Sequence, residues 1–192
     1  AWQAVPPDEM AGGRVVVIEG DYSRAKAVHS QLLVDNSTAG NEPVDMLVCA
    51  PPGSSGSQAE AKDARSKIMS SPSALFQSWG HEVWDGVVEG VRLCYPTSSN
   101  QIRVVRYESC RGLEGWTVIN LGLDEFYDHL VRLHTLGGSK DASLFAARWI
   151  MIPMTRAIDT LVIQIGCSES PIHQTLGRLA DMYPDFVQWV VV

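Results

Sequence analysis

Short, nearly uninterrupted apolar runs recur along this chain: Val15–Ile18, Val44–Ala50, Trp149–Met154 and Leu161–Ile165. None approaches the ~20 apolar residues that a membrane span needs. Those with strand character do not alternate in and out, so both of their faces must be covered. Between them lie stretches with helical periodicity. Strands apolar on both faces, separated by helices, leave few architectures open. The expected fold is an open, doubly wound α/β domain: a mostly parallel sheet with helices on both faces.

The local signals fill in that frame. Arg14–Glu19, flanked by glycines, reads as the first strand, and Asp21 or Ser23 as the cap of a helix that ends at Asp35-Asn36-Ser37. Val44–Ala50 is the next strand and runs into the loop Pro51–Ser57. A polar helix is expected over Ala59–Ser70, then one capped by Ser71, with Pro72 in its first turn and Gly80 as its stop. His81–Asp85, Ile102–Tyr107, Trp116–Leu121, Thr160–Ile165 and Asp185–Val191 read as strands. Asp124–His134, Asp141–Thr155 and Ser170–Met182 read as helices, the second interrupted by Pro153.

The 192 residues suit one domain, 1–192, and 45% hydrophobic content gives it a sizeable core. A net charge of −7 argues against autonomous binding of nucleic acid, which needs clustered Lys and Arg. Cys49, Cys94, Cys110 and Cys167 are scattered without a CxxC pair, which fits reduced thiols and a cytoplasmic setting. The five histidines show no metal spacing, and the tryptophans read as core rather than as a base-stacking platform. The chain opens on Ala1-Trp2 rather than Met, as a piece of something longer or a processed protein would.

Doubly wound sheets often hold nucleotides, yet no GxxxxGK[ST] or GxGxxG occurs, and Gly137-Gly138-Ser139-Lys140 has the wrong spacing and no strand before it. A chain without a phosphate cradle is not expected to hold a nucleoside triphosphate alone. Val118–Leu123 followed by Asp124-Glu125 imitates a strand ending in magnesium ligands. Acids favouring the first turn of the next helix account for it more simply.

Two stretches are more specific. In Arg106–Ile119 a strand delivers the polar turn Ser109-Cys110-Arg111-Gly112-Leu113-Glu114, and a second strand follows. In Arg148–Ile163 an apolar helix ends in Thr155-Arg156-Ala157, and after Asp159 another strand starts. Together they resemble motifs V and VI of the superfamily 1 helicases, the UvrD/Rep-like group. That family's turn reads roughly S-x-K-G-L-E and its helix end roughly M/L-T-R-A-x-D-x-L. The two lie in the family's order, about 45 residues apart. The likeness extends over roughly Val15–Ile165 and implies a RecA-like C-terminal domain. Its phosphate loop and metal-binding acids would sit on a first RecA-like domain before Ala1.

The resemblance makes Arg156 an arginine finger that reaches the γ-phosphate across an interdomain cleft. A permanent, forked cation suits that role and is worth roughly 10³–10⁵ in rate. The plainer alternative is a helix-end arginine held by carbonyls. Glu114 resembles the carboxylate that contacts the nucleotide's sugar, and Gly112 the glycine of a phosphate-sensing turn. Arg111 stands at the family's basic position, where lysine is commoner. Thr155 belongs to the helix-end motif, and Ser109 is the candidate contact to nucleic acid. Arg148 is a further, weaker candidate. Three departures from the family pattern count: Glu108 where many relatives have histidine, Pro153 in the helix, and only about 16 residues at Gly86–Gln101 where larger relatives insert a subdomain.

What the resemblance implies is the C-terminal motor domain of an ATP-dependent DNA or RNA helicase or translocase. ATP and Mg²⁺ would be bound mainly by the first RecA-like domain, the partner in the parent chain. Single-stranded nucleic acid would be held weakly or not at all by this piece, and no membrane is involved. The isolated chain is expected to be inactive. The alternatives are a helicase-like module that senses without hydrolysis, and a magnesium phosphohydrolase using Asp124, Glu125 and Asp128.

Overall fold

The computed structural model describes residues 13–52, 69–138, 140–166 and 169–192. The strands are β1 Arg14–Glu19, β2 Met46–Ala50, β3 Glu82–Asp85, β4 Gln101–Arg106, β5 Gly115–Asn120, β6 Ala157–Ile165 and β7 Val187–Val191. The helices are α1 Lys26–Thr38, α2 Ser71–Ser78, α3 Glu89–Arg92, α4 Leu123–Leu136, α5 Ala142–Met154 and α6 Pro171–Met182. The seven strands form one sheet in the order β3-β4-β2-β5-β6-β1-β7. Every pairing in it is parallel.

The apolar runs do what their lack of alternation implied. Along β2, Met46 and Val48 join a core under α1 and α2, where Leu32 and Phe76 meet the sheet. Leu47 and Cys49 point the other way, into a core closed by Leu123, Phe126, Ile150 and Leu176 of α4, α5 and α6. All five residues of β2 are buried, so this strand can tolerate no polar face. The expected doubly wound α/β arrangement, that of a RecA-like domain, is the observed one.

Several boundaries move, each for a tertiary reason. α1 runs on past Asp35 to Thr38, because Asp35 accepts hydrogen bonds from Arg14 and Gln31, and buried Asn36 donates to the Glu42 carbonyl at 2.8 Å. Asp21 caps a short helical turn, Tyr22–Arg24, ahead of α1. β2 begins two residues late, since Pro43–Asp45 forms another such turn. Ser70, not Ser71, caps α2, and its hydroxyl and amide both reach the buried Asp85 carboxylate, at 2.9 and 2.7 Å. The polar helix expected over Ala59–Ser70 and most of the loop Pro51–Ser57 lie outside the described residues.

Pro153 does not break α5. It sits one residue from the helix end, where its missing N–H costs a single bond to Trp149. The chain then tightens: Thr155 N–H donates to Met151 O at 3.1 Å and Arg156 N–H to Pro153 O at 3.2 Å. The proline thus fixes where Thr155 and Arg156 leave the helix.

Candidate functional site at the amino-terminal edge of the sheet

β4 and β5 are parallel but not adjacent, with β2 between them. The chain therefore has to return from the carboxyl end of β4 to the amino end of β5 in only eight residues, 107–114. It does so without an α-helix. Tyr107 and Cys110 are buried pegs, while Glu108, Arg111, Gly112 and Glu114 are exposed or half-buried. The Tyr107 hydroxyl donates to Leu121 O at 2.6 Å and anchors the start of the crossover. Gly112 makes the turn with φ +78, a conformation that other residues rarely adopt. No side-chain neighbour crowds it, so the backbone requirement alone selects glycine there.

At the far end the crossover meets α5 and β6. Gly115 N–H donates to Arg156 O at 3.1 Å, and Gly115 pairs in register with Ala157. A Cβ on Gly115 would lie 3.0 Å from Asp45 O and from the Leu47 side chain, so this close approach also demands glycine. The two motif-bearing segments, distant in sequence, are thus hydrogen-bonded neighbours. The ladder between β5 and β6 is irregular here: Gly115 faces Ala157, but Thr117 faces Thr160. The extra residue on β6 leaves Ile158 turned outward, 61% exposed, two residues after Arg156.

Arg156 folds back on its own helix. Its Nε donates to Ile152 O at 3.0 Å and its Nη2 to Thr155 Oγ1 at 2.9 Å, while the Thr155 hydroxyl donates to Ile152 O at 3.1 Å. The geometry seen is therefore that of the helix-end arginine held by carbonyls. Arg111 places its guanidinium 4.9 Å from the centre of the Trp149 ring, a cation–π contact with α5. The Glu114 carbonyl accepts Arg103 Nη2 at 2.7 Å. Ser109 stands apart from this group. It lies half-buried near Tyr107, where the crossover leaves β4 at the opposite edge. Arg148 lies half-buried on α5.

Sequence reasoning missed Arg103. It grips Val44 O with Nε at 2.5 Å as well as Glu114 O, so it ties the start of β2 to the end of the crossover. Burial lowers its pKa, against the pull of Asp45 and Cys49. An arginine within an apolar strand, Ile102-Arg103-Val104, was the only signal present. Asp159 was visible in the motif, and its part is structural: it accepts Gly13 N–H at 3.2 Å and the Thr160 hydroxyl at 2.8 Å. Trp116 is not a core residue. It walls two depressions at the amino-terminal edge, of about 500 and 260 Å³, both shared with Arg14 and Asp159.

At the other end of the sheet, Asp124 is fully buried and its Oδ2 accepts Gly166 N–H at 3.0 Å. That ties α4 to the end of β6 and gives Asp124 a structural task in place of the magnesium ligation considered for it. Among the described residues no group of three or more His, Cys, Asp or Glu is placed to hold a metal ion. No described helix is long and apolar enough to cross a membrane.

No family model matches the chain, and no curated protein matches it. Among solved structures it is similar to the C-terminal domain of a possible DNA helicase from Lactobacillus plantarum WCFS1. The identity is 14% and the TM-score 0.48, with 95% of this chain and 88% of that one covered.

Proposed function

We propose that this chain is the second RecA-like motor domain of an ATP-dependent helicase or translocase, completing a nucleotide site against a first domain. One observation carries the reading: the turn Arg111–Glu114 and the helix end Thr155–Arg156 are joined at one edge, through Gly115 N–H and Arg156 O at 3.1 Å. Residues that must act on one nucleotide have to converge, and these do.

The residues fit a nucleotide arriving on another domain. Glu114 offers a carboxylate for a sugar hydroxyl, and Gly112 an uncrowded backbone turn. Neither supplies a phosphate cradle, so ATP and Mg²⁺ would be held by the first domain, where the ion neutralises charge on the transferring phosphoryl group. Arg156 exchanges its bonds to Ile152 O and Thr155 Oγ1 for γ-phosphate oxygens when the cleft closes. Both bonds lie at the helix end, so that exchange leaves the α5 backbone intact. Nucleic acid is bound chiefly outside this domain, in keeping with its charge of −7.

The test is ATP turnover by the full-length protein. Arg156→Ala is expected to lower kcat by about 10³-fold or more, with Arg156→Lys rescuing little of it. Unchanged turnover would refute the finger role.

A second reading, a helicase-like module that senses without hydrolysis, is favoured by the occupied state of both basic groups: Arg156 on Ile152 O, and Arg111 on Trp149. It expects nucleotide affinity without turnover in the full-length wild-type protein.

A further inference from the structure

The scattered cysteines give no hint in sequence that two of them meet. Cys49, the second-last residue of β2, and Cys110, midway along the crossover, are both free and fully buried. Their thiols are hydrogen-bonded to one another in the core beneath α4. The Cys110 thiol also lies 3.1 Å from Tyr107 O, which orients it.

We propose that Cys49 and Cys110 form a redox-responsive thiol pair, which a small hydroperoxide converts to an intramolecular disulfide between β2 and the crossover.

The surroundings decide which sulfur attacks. The Cys49 thiol donates toward Cys110, so negative charge collects on the Cys110 sulfur. Arg156 and Arg111 add their attraction, and the Cys110 pKa is lowered, whereas its partner and burial push Cys49 well up. The Cys110 thiolate attacks one peroxide oxygen and the O–O bond breaks. This gives a sulfenic acid at Cys110 and, after protonation of the departing oxygen, water or an alcohol. The Cys49 sulfur then attacks the Cys110 sulfur. The S–O bond breaks, and hydroxide leaves with the Cys49 proton as water. Two thiols lose two electrons and two hydrogens, and the peroxide is reduced.

Access comes through the crossover. Its own backbone bonding is slight, with Leu113 N–H to Cys110 O at 3.1 Å inside the turn, and several of its residues already face solvent. Local opening of such a segment needs far less than unfolding of the sheet. The disulfide would then fasten the turn Arg111–Glu114 to β2. The chemistry does not depend on what that turn contacts, so it stands or falls apart from the proposed function.

The test exposes the native protein to hydrogen peroxide, quenches with an alkylating reagent and maps the peptides by mass spectrometry. The expected result is a Cys49–Cys110 cross-linked peptide and an intact mass lower by about 2 Da, the two thiol hydrogens, reversed by dithiothreitol. Cys94, which is exposed, should be dispensable: Cys94→Ser gives the same cross-link. Cys49→Ala is expected to stop at a Cys110 sulfenic acid that dimedone traps. Dimedone labelling of Cys49 in Cys110→Ala, with none of Cys110 in Cys49→Ala, would overturn the order of attack. The wild-type result needs no variant to fold. If Cys49 and Cys110 stay reduced while Cys94 is oxidised, or link only in denaturant, the proposal fails.

Discussion

The two edges of the sheet treat their polar residues in opposite ways. At the carboxyl-terminal edge they are turned inward onto backbone. Gln164 accepts Gly122 N–H at 2.6 Å and donates to Gly20 O at 2.7 Å. Asp124 accepts Gly166 N–H, and Glu19 accepts the Trp189 indole N–H at 2.9 Å while facing His173 at 3.3 Å. At the amino-terminal edge Thr155 is exposed, Glu114 is open to solvent, and Arg156 is held by groups of its own helix end. Parallel sheets commonly bind ligands outside the carboxyl ends of their strands. Among the described residues of this chain, that edge is largely committed to holding strands and helices together. The reactive side chains that remain accessible are at the other edge. Substitutions at the two edges should therefore fail in different ways, in stability at one and in turnover at the other.

Arg156→Ala should separate them most sharply. Beyond the loss of about 10³-fold in kcat expected for the full-length protein, its melting temperature should stay close to that of the wild type, since only a half-buried helix-end contact is removed. A fall in both together would place Arg156 with the structural residues.

Asp124→Ala should do the reverse. It strands the Gly166 N–H without its acceptor, at about 1–3 kcal/mol by denaturant unfolding. Turnover per folded molecule should be unchanged. A large loss of activity in a stably folded variant would return Asp124 to the catalytic candidates.

The acid response should belong to neither edge. His29 of α1 is fully buried among Tyr22, Phe76 and Trp79, and burial together with His81 lowers its pKa to about 3. The Tyr22 hydroxyl is its partner, 3.2 Å from Nδ1. The unfolded chain takes up a proton near pH 6.5 and the folded one does not. Stability is therefore full above that pH and falls as the pH drops toward 3, by about 2 kcal/mol at pH 5. Denaturant titrations of wild type and His29→Phe across that range check it: the variant should lose most of the slope.

Asn120 tests the carboxyl edge from within. It is fully buried at the end of β5, and neither its amide nitrogen nor its oxygen has a hydrogen-bond partner among the described residues. A purely structural edge has no use for such a residue. Asn120→Leu is then expected to be neutral or to stabilise by about 1 kcal/mol, because no bond is lost and a desolvated amide goes. If it stabilises the fold yet abolishes activity, this edge holds a functional group after all.

The architecture was legible because it rests on pattern. Runs such as Val15–Ile18 and Met46–Ala50 can be buried on both faces only in a covered parallel sheet, and Ser170-Pro171 marks the start of α6 directly. The convergence of Gly112–Glu114 with Thr155–Arg156 was legible only through the motif resemblance, since nothing in the residues between them states which strands pair. What could not be read were commitments made across the fold. Asp35 and Asn36 look like helix terminators until Arg14 and Glu42 engage them. Arg103 looks like a solvent-facing strand residue until it grips Val44 and Glu114. The orientation of Arg156 belongs to the same class: pattern places it at a helix end, and only the structure shows its fork turned onto Ile152 and Thr155.

Arg111 carries the smallest expected effect and asks the finest question about the amino-terminal edge. Its guanidinium lies over Trp149 in an exposed setting, where a cation–π contact is worth about 0.5–1 kcal/mol. Arg111→Ala should cost the fold no more than that. The family resemblance gives the same side chain a second task, as the basic residue of a turn that senses phosphate. The two tasks compete for one charge, so loss of the contact frees nothing that alanine can use. Arg111→Lys separates them: it keeps the charge but loses the flat face that stacks on indole. If the contact with Trp149 is all that matters, lysine should behave like alanine in both stability and ATP affinity. If the turn works on phosphate, lysine should match alanine in stability while keeping nucleotide affinity near that of the wild type. Paired unfolding and nucleotide-binding titrations on the full-length protein read out both quantities.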